Sequence, residues 1–323
     1  MKILSATGNE DIAKVYIAET AGGKLIEFVE SLQPPLPREK KWVLIVSTLY
    51  GCPVKCLMCD AGMQYKGRIS KDDILRQIDY MVSKRFPDRI IKVEKFKIQF
   101  SRMGEPAFNH AVLDVLDEFD KYFTAPGFIP SISTIAPRQT ESFFERLLNI
   151  KNAKYSRGNF QLQFSIHTTD EESRRKLMPV KKLSLREIAV LGDKFYQAND
   201  KKITLNFILT NEFPVEPVRI YNYFNPEKFL IKFTPLNPTY SAVQNNLTSF
   251  ITESNGGETQ LLIDEFKKFG YEVILSIGEL EENKIGSNCG QYVIAHLKNS
   301  GEHSTGYKYI NKNSILQNGI IPV

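Results

Sequence analysis

Cysteine is scarce in this chain, with four among 323 residues, and histidine is equally scarce. Three of the cysteines, Cys52, Cys56 and Cys59, share one short stretch. That clustering argues against a disulfide framework of the secreted type, so a reducing, cytoplasmic setting is expected. No apolar run approaches the ~20 residues of a membrane span. Met1–Ser5 lacks the apolar core and cleavage site of a secretory leader, and no membrane partner is expected. An excess of one charge is also missing: 42 basic against 37 acidic residues leave a net +5. This balance permits a nucleic-acid partner without arguing for one. Long-period repeats and low-complexity tracts are absent.

What is present is an alternation of short apolar strands with amphipathic helical segments. Ile12–Ala18 and Lys24–Val29 read as strands around a Gly22-Gly23 turn, a hairpin signal. The proline-bearing stretch Leu32–Lys41 is a linker, and Trp42–Ser47 is an unbroken buried strand. Further strands are expected at 96–100, 129–133, 161–166, 203–209, 230–233 and 272–276. Helical periodicity falls at 71–84, 112–122, 140–148, 185–197, 215–223 and 258–269. Alternating β and α elements predict an α/β fold, a partial (β/α)6 TIM-type barrel with an N-terminal β-hairpin extension. The expected organisation is a hairpin and linker over 1–41, the barrel over 42–298, and a polar tail over 299–323. Active-site groups should then lie at the C-terminal strand ends.

The cysteines form Cys52-Pro53-Val54-Lys55-Cys56-Leu57-Met58-Cys59, a CxxxCxxC run. Three thiolates on one tight loop suit a [4Fe–4S] cluster with one iron left open for a small molecule. S-adenosyl-L-methionine (SAM) is the candidate, because its amino and carboxylate groups can chelate that iron. A zinc site is the alternative, but zinc wants four ligands, and the histidines offer no second pair near this loop.

Beyond this loop the order of motifs resembles the RlmN/Cfr family of radical SAM enzymes, which methylate adenosine in large-subunit ribosomal RNA. The matching residues are Leu25-Ile26-Glu27, Ser47–Cys59 with Asp60-Ala61-Gly62-Met63-Gln64, and Met103-Gly104-Glu105-Pro106. They continue with Ser133-Thr134, Phe164-Ser165-Ile166-His167 and the Arg174–Lys182 stretch containing Met178-Pro179-Val180. Pro235-Leu236-Asn237-Pro238 and Asn288-Cys289-Gly290-Gln291 complete the set.

The resemblance implies that Cys52, Cys56 and Cys59 are the cluster ligands. It marks Gly104, Glu105, Ser133, Ser165, Ile166, His167 and Asn237 as SAM contacts. Taken singly, each of these is equally a turn, capping or structural residue. Cys289 matches a cysteine that receives a methyl group from one SAM by nucleophilic displacement, thiolate being a strong nucleophile. A second SAM is then cleaved reductively to abstract hydrogen from that S-methyl group, and the carbon radical adds to adenine. An incidental thiol is the plainer reading of Cys289. Glu27 aligns with a proton acceptor of the family, against the simpler reading of a solvent-facing hairpin carboxylate. The implied partners are an RNA substrate, ribosomal or transfer RNA, and a reducing donor such as flavodoxin or ferredoxin.

The chain departs from the family pattern in three places. A second catalytic cysteine, expected seven residues before Cys52, is replaced by Ile45. Only about fifty residues precede the cluster loop, so the accessory domain expected to help engage RNA is missing. The stretch before Cys289 carries Glu279, Glu281 and Glu282, which repel phosphate. These departures keep open a different substrate, a small molecule or peptide, handled by the same cofactor machinery with a different outcome.

Overall fold

The protein, described by a computed structural model, is defined here over residues 1–32, 34–252, 254–277, 285–286 and 293. Cys289, the acidic stretch with Glu279, Glu281 and Glu282, and the tail 299–323 lie outside the described residues.

Ten strands form one sheet in sequential order. β1 (Lys2–Gly8), β2 (Ala13–Glu19), β3 (Leu25–Ser31) and β4 (Lys41–Val46) pair antiparallel. From β4 onward every pairing is parallel, through β5 (Lys95–Phe100), β6 (Phe128–Thr134), β7 (Gln161–Ser165), β8 (Ile203–Leu209), β9 (Phe229–Pro235) and the short β10 (Val273–Leu275). Among the described residues β10 does not pair back onto β1 or β4, so the barrel is open. The helices are α1 (Lys71–Ser83), α2 (Ala111–Tyr122), α3 (Glu141–Lys154), α4 (Glu171–Leu177), α5 (Leu185–Phe195), α6 (Pro217–Tyr221), α7 (Tyr240–Gln244) and α8 (Gly256–Lys268).

The expected α/β partial barrel is therefore found, with two differences. The N-terminal extension is three-stranded, because Lys2–Gly8 adds to the outer edge of the β2–β3 hairpin. Two short helices, α4 and α7, lie in stretches too short for a 3.6-residue period to emerge from sequence.

Period-2 alternation divides each strand between two environments. Trp42, Leu44 and Val46 of β4, Phe96, Ile98 and Phe100 of β5, and Phe229, Ile231 and Phe233 of β9 join the main core beneath the helices. The alternate residues line the concave inner face. On β2 to β4 that face is largely apolar apart from Glu27, with Val15, Ile17, Val29 and Ile45 packed against Met103, Ile285 and Val293. On β5 to β9 it is polar, carrying Lys97, Gln99, Ser133, Gln163, Asn206 and Lys232.

Helix starts follow ordinary capping rules. Ser184 caps α5 in a reciprocal box with Glu187, and Ser70 caps α1 through the Asp73 N–H. Trp42 is the only tryptophan and is fully buried, with ring centroids 5.3 Å from Phe96 and 5.9 Å from Phe86. Trp42→Ala is expected to cost about 3–5 kcal/mol, read as a lower urea midpoint.

Candidate active site

The cysteine loop leaves the C-terminal end of β4 and is held by backbone bonds rather than by long side chains. Cys52 N–H donates to the Ala61 carbonyl at 2.7 Å and Cys59 N–H to the Cys56 carbonyl at 3.0 Å. Leu57 N–H reaches the Leu177 carbonyl at 3.0 Å, tying the loop to the end of α4. On the far side Asp60 accepts from the N–H groups of Tyr240 (3.2 Å) and Ser241 (2.8 Å), the first residues of α7. Thr239 Oγ1 donates to the Met58 carbonyl at 2.8 Å, and Asn245 Nδ2 to the Leu57 carbonyl at 3.0 Å. Residues 180 positions apart thus fix one another.

The loop rests in an apolar cluster separate from the main core. Cys52, Val54, Met58 and Ala61 pack with Ile135, Leu177, Met178 and Leu236. Met58, just before the third cysteine, is buried here. Such surroundings make thiolates costly. Burial pushes the Cys52 thiol up to about 12 and raises that of Cys56 as well, with the Cys52 and Glu105 charges adding to it. Lys182 lies close enough to Cys56 for each to favour the other's charged form; burial nonetheless pushes the lysine down to about 8. Three ionised sulfurs here therefore call for a cationic group among them. Among the described residues no three Cys, His, Asp or Glu side chains converge on a single ion.

Two glycines shape the floor. Gly51 sits at φ +80°, and a Cβ there would lie 1.2 Å from the Gln64 carbonyl oxygen. Gly104 sits at φ +101°, with a Cβ position 2.5 Å from the Leu49 side chain. Neither position admits a side chain without moving backbone.

The next strand ends supply the polar groups. After β5, Glu105 is buried and accepts from Thr134 Oγ1 (2.6 Å), Ala107 N–H (3.0 Å) and Ile135 N–H (2.9 Å). Burial nevertheless pushes its carboxyl up to about 7, the hydrogen bonds opposing the rise. The Glu105 N–H also hydrogen-bonds toward the Cys52 sulfur, so carboxylate and cysteine loop are neighbours. Ser133 near the end of β6 accepts from Gln163 Nε2 at 3.2 Å. Ser165 ends β7 in register with Asn206. Ile166 and His167 follow with both N–H groups on the Asn206 carbonyl. His167 is buried at φ +63°, and its Nδ1 accepts the Ile208 N–H at 3.1 Å. Burial, reinforced by Arg174, drops its pKa to about 3, so the ring is neutral and carries its proton on Nε2. Asn237 is half-buried on the link from β9 to α7, where its carbonyl accepts the Thr239 N–H.

Glu27 is fully buried on the inner face of β3 and does not face solvent. Its Oε1 lies 2.7 Å from Arg102 Nε, and its Oε2 accepts the Val293 N–H at 3.0 Å. Arg102 Nη2 donates to the Gly286 carbonyl at 2.9 Å. The pair thus holds the backbone of Gly286 and of Val293, the described residues that flank Cys289 in sequence. Proton acceptance by Glu27 would first have to break a buried ion pair. Asp60 and Lys182 fall within matching stretches of the sequence that give neither a role, and nothing there singles out Arg102. Asp60 directly follows the third cysteine and could have been flagged. Arg102 carries no signal, since an arginine in a loop is ordinarily exposed.

Gly51→Ala is expected to destabilise the protein by more than about 4 kcal/mol. Gly22→Ala, at a turn where a Cβ meets nothing within 4 Å, should stay within about 0.5 kcal/mol. Paired urea titrations check the contrast.

No protein-family model matches the chain. It is similar to a probable dual-specificity RNA methyltransferase RlmN of Pseudothermotoga lettingae, 24% identical over 245 residues. That match covers 70% of this chain and 62% of the relative, so it spans about three fifths of the relative's length. The ribosomal RNA large subunit methyltransferase Cfr of Staphylococcus aureus is 23% identical over 303 residues, 90% of this chain and 79% of that protein. Among solved structures, a radical SAM methyltransferase from Sphaerobacter thermophilus aligns with a TM-score of 0.66 at 16% identity, covering 90% of this chain and 80% of that one. This last likeness shows a common fold. By descent, this chain is a distant homologue of the RlmN and Cfr radical SAM methyltransferases.

Proposed function

We propose that the protein is a radical SAM methyltransferase that acts on an adenine-containing RNA and carries the methyl group on Cys289. The observation that carries this reading is the placement of the cysteine loop beside Glu105, at the same end of the sheet as Ser133, Ser165 and His167. Cys52, Cys56 and Cys59 would ligate the cluster. Gly104, Glu105, Ser133, Ser165, Ile166, His167 and Asn237 would hold SAM. When bound, these groups supply one-electron chemistry that the protein only aims.

The chain's own residues have definite work in this scheme. Gly104 lets the backbone close on a ligand, and Glu105 offers a buried carboxylate that an ammonium would draw into its ionised form. His167 can donate from Nε2 because Nδ1 is already engaged. Leu177, Met178 and Leu236 keep water from the cysteine loop. Glu27 and Arg102 hold the backbone of Val293 and Gly286, which flank Cys289 in sequence.

A second reading is favoured by Ile45. This side chain packs in the same apolar cluster as Ile285 and Val293, the described residues on either side of Cys289. A sec-butyl group at position 45, unlike the cysteine that the resemblance leads one to expect there, cannot form a disulfide with Cys289. On this reading the same machinery serves a small molecule or peptide whose product needs no such release.

The test is anaerobic reconstitution with iron and sulfide followed by incubation with methyl-labelled SAM. The expected protein holds roughly four irons, cleaves SAM, and carries label on the Cys289 peptide by mass spectrometry. Cys289→Ala should lose the label and keep the cleavage. Zinc in place of iron would overturn the proposal. With adenine-containing RNA, the native protein should accumulate a covalent adduct that Ile45→Cys releases as methylated RNA. No adduct with either protein, together with SAM cleavage indifferent to RNA, would favour the second reading.

A further inference from the structure

The inner face of the barrel carries lysines that the scheme above does not use. Lys97 lies on β5 and Lys232 on β9, and both point into the lumen, since Phe96, Ile98, Ile231 and Phe233 take the helix-facing positions. Lys41, at the start of β4, approaches from a third strand. The charges acting on Lys97 are those of Lys232, Lys41 and Lys201, and Lys41 acts on Lys232. Among the described residues neither Lys97 nor Lys232 joins an ion pair. Both are half-buried, whereas the more deeply buried Lys151 of the same molecule is paired with Asp200.

A second observation marks the same place. Asn206 on β8 is in register with Lys232, is only 6% exposed, and has a buried side-chain oxygen with no hydrogen-bond partner. An amide in that position can turn either end toward a ligand. Gln99 adds a further half-buried amide on β5. Holding two half-buried cations near one another is unfavourable, and burial with like charges pushes Lys97 down to about 7. A single negative charge would neutralise one lysine and leave the other. A dianion with several oxygens would answer both lysines and still offer an acceptor or a hydroxyl to Asn206.

We propose that the lumen of this barrel is a binding site for a phosphate-type dianion, held between Lys97 and Lys232 with Asn206 as its polar wall. The dianion can be a free phosphate ion or the phosphate of a monoester.

The test uses reconstituted protein with inorganic phosphate as the probe. Thermal unfolding in phosphate is compared with sodium chloride of equal ionic strength. Phosphate should raise the midpoint in a saturable way, with the increase following ligand linkage. Lys97→Met and Lys232→Met should each weaken binding by roughly 30-fold or more, the loss expected for removing one buried charge partner. Lys228→Met, on an exposed lysine paired with Asp193, should leave binding unchanged. Adenosine monophosphate separates the sources: tighter binding than phosphate identifies a monoester ligand, and failure to compete identifies the free ion. If the methionine variants do not fold, mass-spectrometric acylation footprinting replaces them, and phosphate should protect Lys97 and Lys232 of the native chain. Equal shifts in chloride and phosphate, undiminished binding in the folded methionine variants, or acylation unaffected by phosphate would each overturn the proposal.

Discussion

The junction at β4 is the constraint on which the rest of the structure depends. This strand pairs antiparallel with β3 on one side and parallel with β5 on the other, so the sheet changes character across it. Its C-terminal end must deliver the cysteine loop beside the end of β5, because parallel pairing puts both ends on one side. The register Val46↔Phe100 fixes how far Cys52 stands from Glu105. Ser47 continues the strand and is locked from two directions: its hydroxyl donates to the Glu27 carbonyl, and its N–H and carbonyl engage the Gln77 side chain of α1. Hairpin, barrel and outer helix are thereby set by the same few residues.

The buried Glu27–Arg102 pair extends that logic to the C-terminal segment. A buried ion pair contributes little net stability, but removing one partner strands a charge at a cost of about 3–5 kcal/mol. Its value here is positional. Glu27 belongs to the antiparallel extension and Arg102 to the loop after β5, and each also holds one backbone group, of Val293 and of Gly286 respectively. The extension is therefore tied to the barrel by a buried ion pair and cannot be treated as an appendage to it.

Most of the scaffold was legible in the sequence because period-2 alternation and 3.6-residue periodicity were strong. Trp42–Ser47, Phe96–Phe100 and Ile203–Leu209 were read as strands within a residue or two of their observed bounds. The edge strand β1 was not, since KILSATG has no turn before it and only a weak apolar face. Motif order placed Gly104, Glu105, Ser133, Ser165 and His167 at strand ends, where the fold has them. What stayed hidden were pairings between distant residues. Burial of Glu27 depends on Arg102, 75 positions away, and a hairpin carboxylate reads as exposed until its partner is known. The same holds for Asp60, whose role emerges only when α7, some 180 residues later, packs against it.

The lumen lysines were hidden for a different reason. Lys95–Phe100 alternates charged or amide residues with apolar ones, the ordinary signature of a strand with one solvated face. In a closed or nearly closed sheet that second face turns inward, and polarity changes meaning. On β2 to β4 most inward positions are apolar, Glu27 and Lys41 aside, and they pack with Ile285 and Val293. On β5 to β9 they are lysines, serines and amides, which no apolar cover can satisfy. A concave surface divided in this way can bury protein on one half and must meet water or a polar ligand on the other. Open space in the barrel therefore belongs on the β5–β9 side, next to Glu105 and the strand ends that carry the remaining polar groups.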